Sequence, residues 1–400
     1  MKYIGFVLVA AVGVWIGFSG IFSSDLSAAG HHAMMILILT VALWIFKPFG
    51  MPLSIGGVFM AALLLIAGFP ASTVFSGFAG NALWTLIPAL FFGFALRKTG
   101  LGRRIACFGM KSIRLSYPSL LVMWAVIGVV LSVLTPSITV RVIIVTPIAL
   151  NCVEICELPR GSKERSLVLI SAWAMAIIPG YGWLTGSLNG PIMTGLYASN
   201  PKLTPPDFSS WFAVSFVPIA FVTVLTVLAA YFVFRPAVRL SAEKSKFMEI
   251  YKGLGKMNAH EKVTALVLAA CFFLFMTSAK HPVPDAAVCM FGLVALVIAG
   301  VIKADEISTG ISWDLIVFMG IAMGFGAIFE HAGITPWMSG KILVLLEPVS
   351  GSAWILLPVM LFLMFLWRFI DIAVFIPTMA ILTGVLPDIS SAYGMDPLVF

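Results

Sequence analysis

The chain is a succession of long apolar runs separated by short polar connections. The runs fall at about 4–18, 33–47, 52–68, 84–96, 117–153, 166–197 and 211–234, and the pattern resumes near 262 and continues almost to Phe400. A bilayer-crossing helix needs about 20 apolar residues, so these runs read as helical membrane spans. Two of them break the rule. Residues 117–153 are too long for one crossing and too short for two with a loop, and basic residues flank both ends (Arg114 before; Arg160, Lys163 and Arg165 after). The reading that fits is a re-entrant hairpin that enters and leaves on one side and turns at Thr135-Pro136-Ser137. Such a tip leaves backbone groups unpaired at membrane depth, which only protein or an aqueous cavity can cover. The second exception is 166–197, whose middle reads PGYGWLTGSLNGP. Pro179 and Pro191 remove amide donors, and glycines at 180, 182, 186 and 190 permit an unwound turn whose carbonyls and hydroxyls can hold an ion. The bland alternative is a kinked helix packed through small residues.

Composition agrees with a membrane protein: 61% of the residues are hydrophobic, 10% are charged, and mean hydropathy is +1.08. Charged residues near a quarter would be expected of a soluble domain. The net charge of +7 comes from Lys and Arg in short connections, which reads as membrane topology and not as a nucleic-acid surface. With Lys2 inside, the loop 19–32, which carries Asp25 and no Lys or Arg, lies outside. The connection with Arg97, Lys98, Arg103, Arg104, Lys111 and Arg114 is cytoplasmic, and so is 235–262. Residues 4–18 read as an uncleaved first span, because the small residues Ser27-Ala28-Ala29 lie far beyond the apolar core for a signal-peptide cleavage site. The five cysteines have no CxxC spacing and the five histidines are scattered, so neither set indicates a disulfide framework or a metal site.

The chain also repeats itself. Trp84 and Trp313 each open a run with Leu-Ile close behind and stand 229 residues apart; Pro147 and Pro377, each late in a hairpin-like segment, stand 230 apart. The runs that start near 33 and 262 share that offset. Five crossings and a hairpin separate the copies, so the second copy is inverted. Three divisions follow: 1–32 as a first span and outside loop, 33–261 as one repeat with its basic loop, and 262–400 as a second repeat with a hairpin at about 352–386. Inverted repeats with opposed hairpins are transporter architecture. The offset carries the partner of 166–234 past Phe400, which is the expectation for a clipped chain; a naturally short form with a degenerate half-site is the alternative.

From residue 33 onward the order of elements resembles the divalent anion:sodium symporter family of the ion transporter superfamily. In that family each hairpin tip carries Ser-Asn-Thr about ten residues before a proline, and each half has a broken helix resembling GTPPN. Here Ser137-Ile138-Thr139 stands ten residues before Pro147, and Thr185-Gly186-Ser187-Leu188-Asn189 is a loose match to the second motif. Ile138 takes the asparagine's place, the Pro-Pro is absent, and Trp367-Arg368-Phe369 occupies the second tip position. The resemblance implies an elevator-like secondary transporter of a dicarboxylate, tricarboxylate or sulfate, coupled to sodium, in the cytoplasmic membrane as a homodimer. It implies solute contacts at Ser137, Thr139, Gly182, Thr185, Gly186, Ser187 and Asn189, with a sodium ion near Ser137, Thr139 and Gly182 and no other cofactor.

Arg141 stands six residues before Pro147, and Asp371 stands six before Pro377. Opposite charges at equivalent intramembrane positions are candidates for function. Arg141 is expected either to replace a bound cation at the first tip or to contact the anion, with Asp371 as its counter-charge; a pair that only fixes packing is the competing reading. Asp371 alone would also suit a cation/proton antiporter. A membrane enzyme is disfavoured, because the chain has no HExxH or GxSxG and no cluster of His or carboxylates at depth. A non-transport membrane subunit is the remaining alternative.

Overall fold

The computed structural model describes every residue except 1, 23–24, 238–239, 241–243, 347–352, 371–374 and 400, and among the described residues all regular elements are helical. In chain order they are α1 Lys2–Ser19, α2 Ala28–Phe46, α3 Leu53–Ile66, the short α4 Ala71–Val74 and α5 Ser76–Ala79, α6 Asn81–Thr99, α7 Leu101–Ser112, α8 Tyr117–Leu134, α9 Ile138–Ile155, α10 Lys163–Ile177 and α11 Asn189–Ala198. They continue with α12 Phe208–Phe234, α13 Lys244–Gly253, α14 Ala259–Met276, α15 Asp285–Ile298, α16 Glu306–Thr309, α17 Trp313–Ala322, α18 Phe325–His331, α19 Ile334–Leu346, α20 Ala353–Ile370 and α21 Phe375–Tyr393. Seven described stretches are long and apolar enough to cross a membrane: α2, α8, α9, α10 with the turn after it, α12, α14, and α17 with α18. The chain is an all-α polytopic membrane protein, as its hydropathy pattern predicts.

The chain folds as two compact units, one of residues 1–83, 192–206 and 312–400, the other of 84–191 and 207–311. In the first unit α1 lies along α2, and α3 packs on α17. The Asp314 carboxylate on α17 accepts a 2.9 Å bond from the Ser54 amide, placing a negative charge at the start of α3 where amide donors lack helical partners. Trp44 is fully buried edge-on against Phe318, with ring centres 4.8 Å apart.

In the second unit α10 packs along both α8 and α9. The 117–153 run is therefore two helices broken at the predicted residues. Gly128 lets α8 reach α10: a Cβ there would lie 1.9 Å from the Met175 carbonyl oxygen.

Two described helices lie in the connections read as basic loops: α7 within 97–114 and α13 within 235–262. Their mixed basic and apolar sequences do not form a span-length run, yet they pair with each other. Arg104 of α7 is buried and anchors the pair, donating to both Glu261 carboxylate oxygens (2.8 and 3.1 Å) and to the Gly255 and Leu254 carbonyls (2.8 and 3.1 Å). Glu261 also closes a capping box with Asn258 at the start of α14. Removing one partner of a buried pair strands the other charge. Glu261→Gln is expected to lower the Tm of the detergent-solubilised protein by roughly 5–10 °C, from a loss of about 3 kcal/mol. An unchanged melting curve would mean that the pair is not holding α7 to α14.

Candidate functional site

The turn between α8 and α9 is built from its own sequence. Thr135 caps α8 and is followed by Pro136, which has no amide to extend the helix. Ser137 then caps α9, its Oγ accepting from the Val140 amide at 3.3 Å, while Thr135 Oγ1 accepts from the Ser137 amide at 3.1 Å. One turn into α9, Arg141 is completely buried.

Facing that turn, α10 ends at Ile177 and passes through a 3-10 stretch, Ile178–Gly182, into residues 183–188 before α11 begins. This is the unwound segment predicted from the proline and glycine spacing. Two consecutive turns fold it back: the Trp183 amide donates to the Gly180 carbonyl and the Gly186 amide to the Trp183 carbonyl. Trp183 is clamped among Phe208, Phe212, Phe216 and Phe272, which fixes the segment against α12 and α14.

The two breaks meet at Arg141. Its Nε donates to the Ala176 carbonyl at 2.7 Å, and one terminal nitrogen donates to the carbonyls of Thr135 at 2.9 Å and Gly186 at 2.5 Å. Gly180 permits the close fit, since a Cβ there would lie 2.4 Å from the other terminal nitrogen and 2.4 Å from the Gly186 oxygen. That second nitrogen has no partner among the described residues, and no described carboxylate pairs with Arg141. Three backbone carbonyls from the tip and the broken helix therefore converge on one fixed positive charge. Unwound carbonyls of this kind are the groups that otherwise coordinate a bound alkali cation.

The sequence-predicted residues divide around this centre. Gly186 supplies one of the three carbonyls, and Thr185 and Ser187 beside it are buried with hydroxyls that have no partner among the described residues. Thr185 borders a cavity of about 10 Å³ that Thr135, Pro136, Phe92 and Leu268 also line. That is room for about one water-sized group and not for a dicarboxylate. Ser137 is half-buried and committed to its cap. Thr139 is exposed, and two residues from Arg141 it cannot share its helix face. Gly182 faces α12, where a Cβ would make ordinary contact with Ile219 at 3.5 Å. Asn189 is half-buried at the first position of α11. Asp371 lies outside the described residues, and Arg368 falls in the last turn of α20, with its side chain outside the described set. Sequence reasoning missed the carbonyls of Thr135 and Ala176 and the close approach at Gly180. Carbonyl acceptors carry no residue signature; the glycine spacing was the available signal.

A family model of the sodium:sulfate symporter transmembrane region matches residues 1–400. The chain belongs to that family. This bears out, at the level of family, the resemblance carried by the Ser137-to-Pro147 spacing, and it makes the protein a member of a transporter family and not an enzyme. Among curated relatives of this symporter-family chain is YflS of Bacillus subtilis (strain 168), whose name proposes malate transport; it is 24% identical over 368 residues, which cover 89% of this chain and 74% of YflS. Dicarboxylate transporter 2.2, chloroplastic, of Arabidopsis thaliana is 23% identical over 87% of this chain and 65% of its own length. The L-tartrate/succinate antiporter of Shigella dysenteriae serotype 1 (strain Sd197) is 25% identical over 67% of this chain and 56% of its own. The chain thus spans between about half and three quarters of these relatives.

Proposed function

We propose that this protein carries a small dicarboxylate across the membrane by alternating access, exchanging one dianion for another, with the Arg141 guanidinium as the built-in cation of the first half-site. The observation that carries this reading is the guanidinium held by three backbone carbonyls with no described acidic partner. Of the two roles open to Arg141, replacement of a cation is favoured over direct contact with the solute, because the nearby cavity admits only a water-sized group. A permanent charge there lowers the cost of bringing a dianion close without an ion having to bind first. The names of the relatives support a dicarboxylate over sulfate, and the tartrate/succinate antiporter supports exchange.

Inverted repeats and elevator motion belong to the same reading. The order of helices supports the repeats: α2, α3, α7, α8 and α9, of 19, 14, 12, 18 and 18 residues, are matched by α14, α15, α19, α20 and α21, of 18, 14, 13, 18 and 19. Between them Trp84 lies in the first turn of α6 and Trp313 opens α17. The proposed topology keeps the N-terminus and the 97–114 connection cytoplasmic. The long α12 exposes Val217, Phe221, Val224 and Phe232, a face suited to lipid or to the second copy of a homodimer.

Counterflow tests the function. Proteoliposomes preloaded with unlabelled succinate are expected to accumulate labelled malate or succinate several-fold faster than empty ones, with sulfate a poor competitor. Equal rates in loaded and empty vesicles would refute exchange, and no uptake of any dicarboxylate would refute the substrate class.

A further inference from the structure

We propose that the pocket bounded by α6, α7, α9 and α13 is a binding site for an anionic phospholipid, with the phosphate at Arg97 and Arg103 and an acyl chain along α9. The pocket lies wholly within the second unit and encloses about 530 Å³. Its polar rim is Arg97, Lys98, Thr99, Arg103 and Asn151, and no acidic residue lines it among the described residues. Its walls are apolar, among them Leu96, Met110, Ile144, Ile148 and Phe247.

The neighbouring cations are unequally employed. Arg104 is consumed by Glu261 and two carbonyls, and Lys98 by Glu306 at 2.5 Å and the Val301 carbonyl at 2.9 Å. Arg97 and Arg103 are exposed and form no ion pair among the described residues. Arg97 rests over the Phe94 ring, 5.8 Å from its centre. Two exposed guanidinium groups outside any described ion pair suit one phosphodiester, which each can grip with paired N–H donors.

The surroundings fit a lipid better than a free anion. α7 buries Leu101, Ala106, Cys107 and Met110, exposes Arg103 and Phe108, and carries the half-buried Lys111 over the Phe108 and Tyr251 rings. A basic amphipathic helix of this kind lies in the membrane interface, at headgroup depth. On α9, Ile143, Pro147 and Leu150 are exposed beside the pocket, so its apolar side continues onto a surface that acyl chains can cover. A dicarboxylate would leave its second charge against those walls, whereas a phospholipid matches both ends. The exposed Asn151 amide offers hydrogen bonds to a glycerol headgroup, whereas the Thr99 hydroxyl is spent on the Ala95 carbonyl. Basic pockets beside membrane helices bind anionic headgroups by these same interactions.

Thermal melting of the purified full chain in neutral detergent tests the site, with short-chain phosphatidylglycerol, the matching phosphatidylcholine and inorganic phosphate as probes. Phosphatidylglycerol is expected to raise the Tm and the other two to leave it unmoved. The shift is expected to vanish in the double variant Arg97→Gln, Arg103→Gln, to persist in Arg97→Lys, Arg103→Lys, and to shrink in Ile144→Trp, which fills the apolar wall. Equal stabilisation by phosphatidylcholine, stabilisation by phosphate alone, or a shift that survives the glutamine pair would each overturn the proposal. Should the glutamine pair fail to fold, the comparison of the two headgroups on the unaltered chain decides.

Discussion

Arg141→Gln is expected to cut the proposed dicarboxylate uptake at least roughly a hundredfold while the protein still inserts into the membrane. The guanidinium donates to the carbonyls of Ala176, Thr135 and Gly186, and glutamine can neither reach all three nor carry a charge. A hydrogen bond to a charged group is worth about 2 kcal/mol, so losing the set together with the charge predicts at least a roughly hundredfold fall in uptake. Arg141→Lys keeps the charge but lacks the planar fork, and an intermediate rate is expected. Uptake normalised to the protein recovered in vesicles makes the comparison, with size-exclusion profiles of both variants to separate inactivity from misfolding. Full activity of Arg141→Gln would remove the guanidinium from the mechanism.

The second large effect is on folding. Gly128→Val is expected to yield little or no folded protein, because the new Cβ would sit 1.9 Å from the Met175 carbonyl oxygen and 2.8 Å from its carbon, both backbone atoms that cannot turn aside. Substitutions that collide in this way belong to the rare class that costs about 4 kcal/mol or more. The damage reaches the site directly. Met175 precedes Ala176, whose carbonyl holds Arg141, so forcing α8 off α10 displaces one wall of the carbonyl cage. Fluorescence-detected size exclusion of a tagged Gly128→Val protein gives the answer, and a sharp wild-type-like peak would show that α8 and α10 do not depend on this contact.

Much of this arrangement was legible in the sequence because it is written in residues that restrict the backbone. Pro136 between two hydroxyl-bearing residues marked the turn of the hairpin, and Pro179 with four glycines marked the unwound stretch after α10. Apolar length marked the span-length helices, such as α2, α12 and α14. What escaped was of two physical kinds. The helices α7, α13 and α19 are short or of mixed polarity, so no length rule separates them from connections, although α7 carries the pairing that Arg104 anchors. The ligands of Arg141 are main-chain oxygens, which any residue can supply and which only the fold brings together. Motif matching singled out Thr139 and Gly182 by their place in a pattern, yet Thr139 is exposed and Gly182 faces α12. Arg141 itself was marked by a plainer signal, a permanent charge in an apolar run.

In the proposed mechanism the buried Arg141 does the work of a bound cation in the first half-site. The most direct measurement is the initial rate of labelled succinate uptake into succinate-loaded proteoliposomes as external sodium is replaced stepwise by choline. A rate that stays substantial without sodium and rises at most hyperbolically with it is the predicted result. A rate that is zero without sodium and climbs sigmoidally, as it must if ions fill both half-sites, would contradict the account.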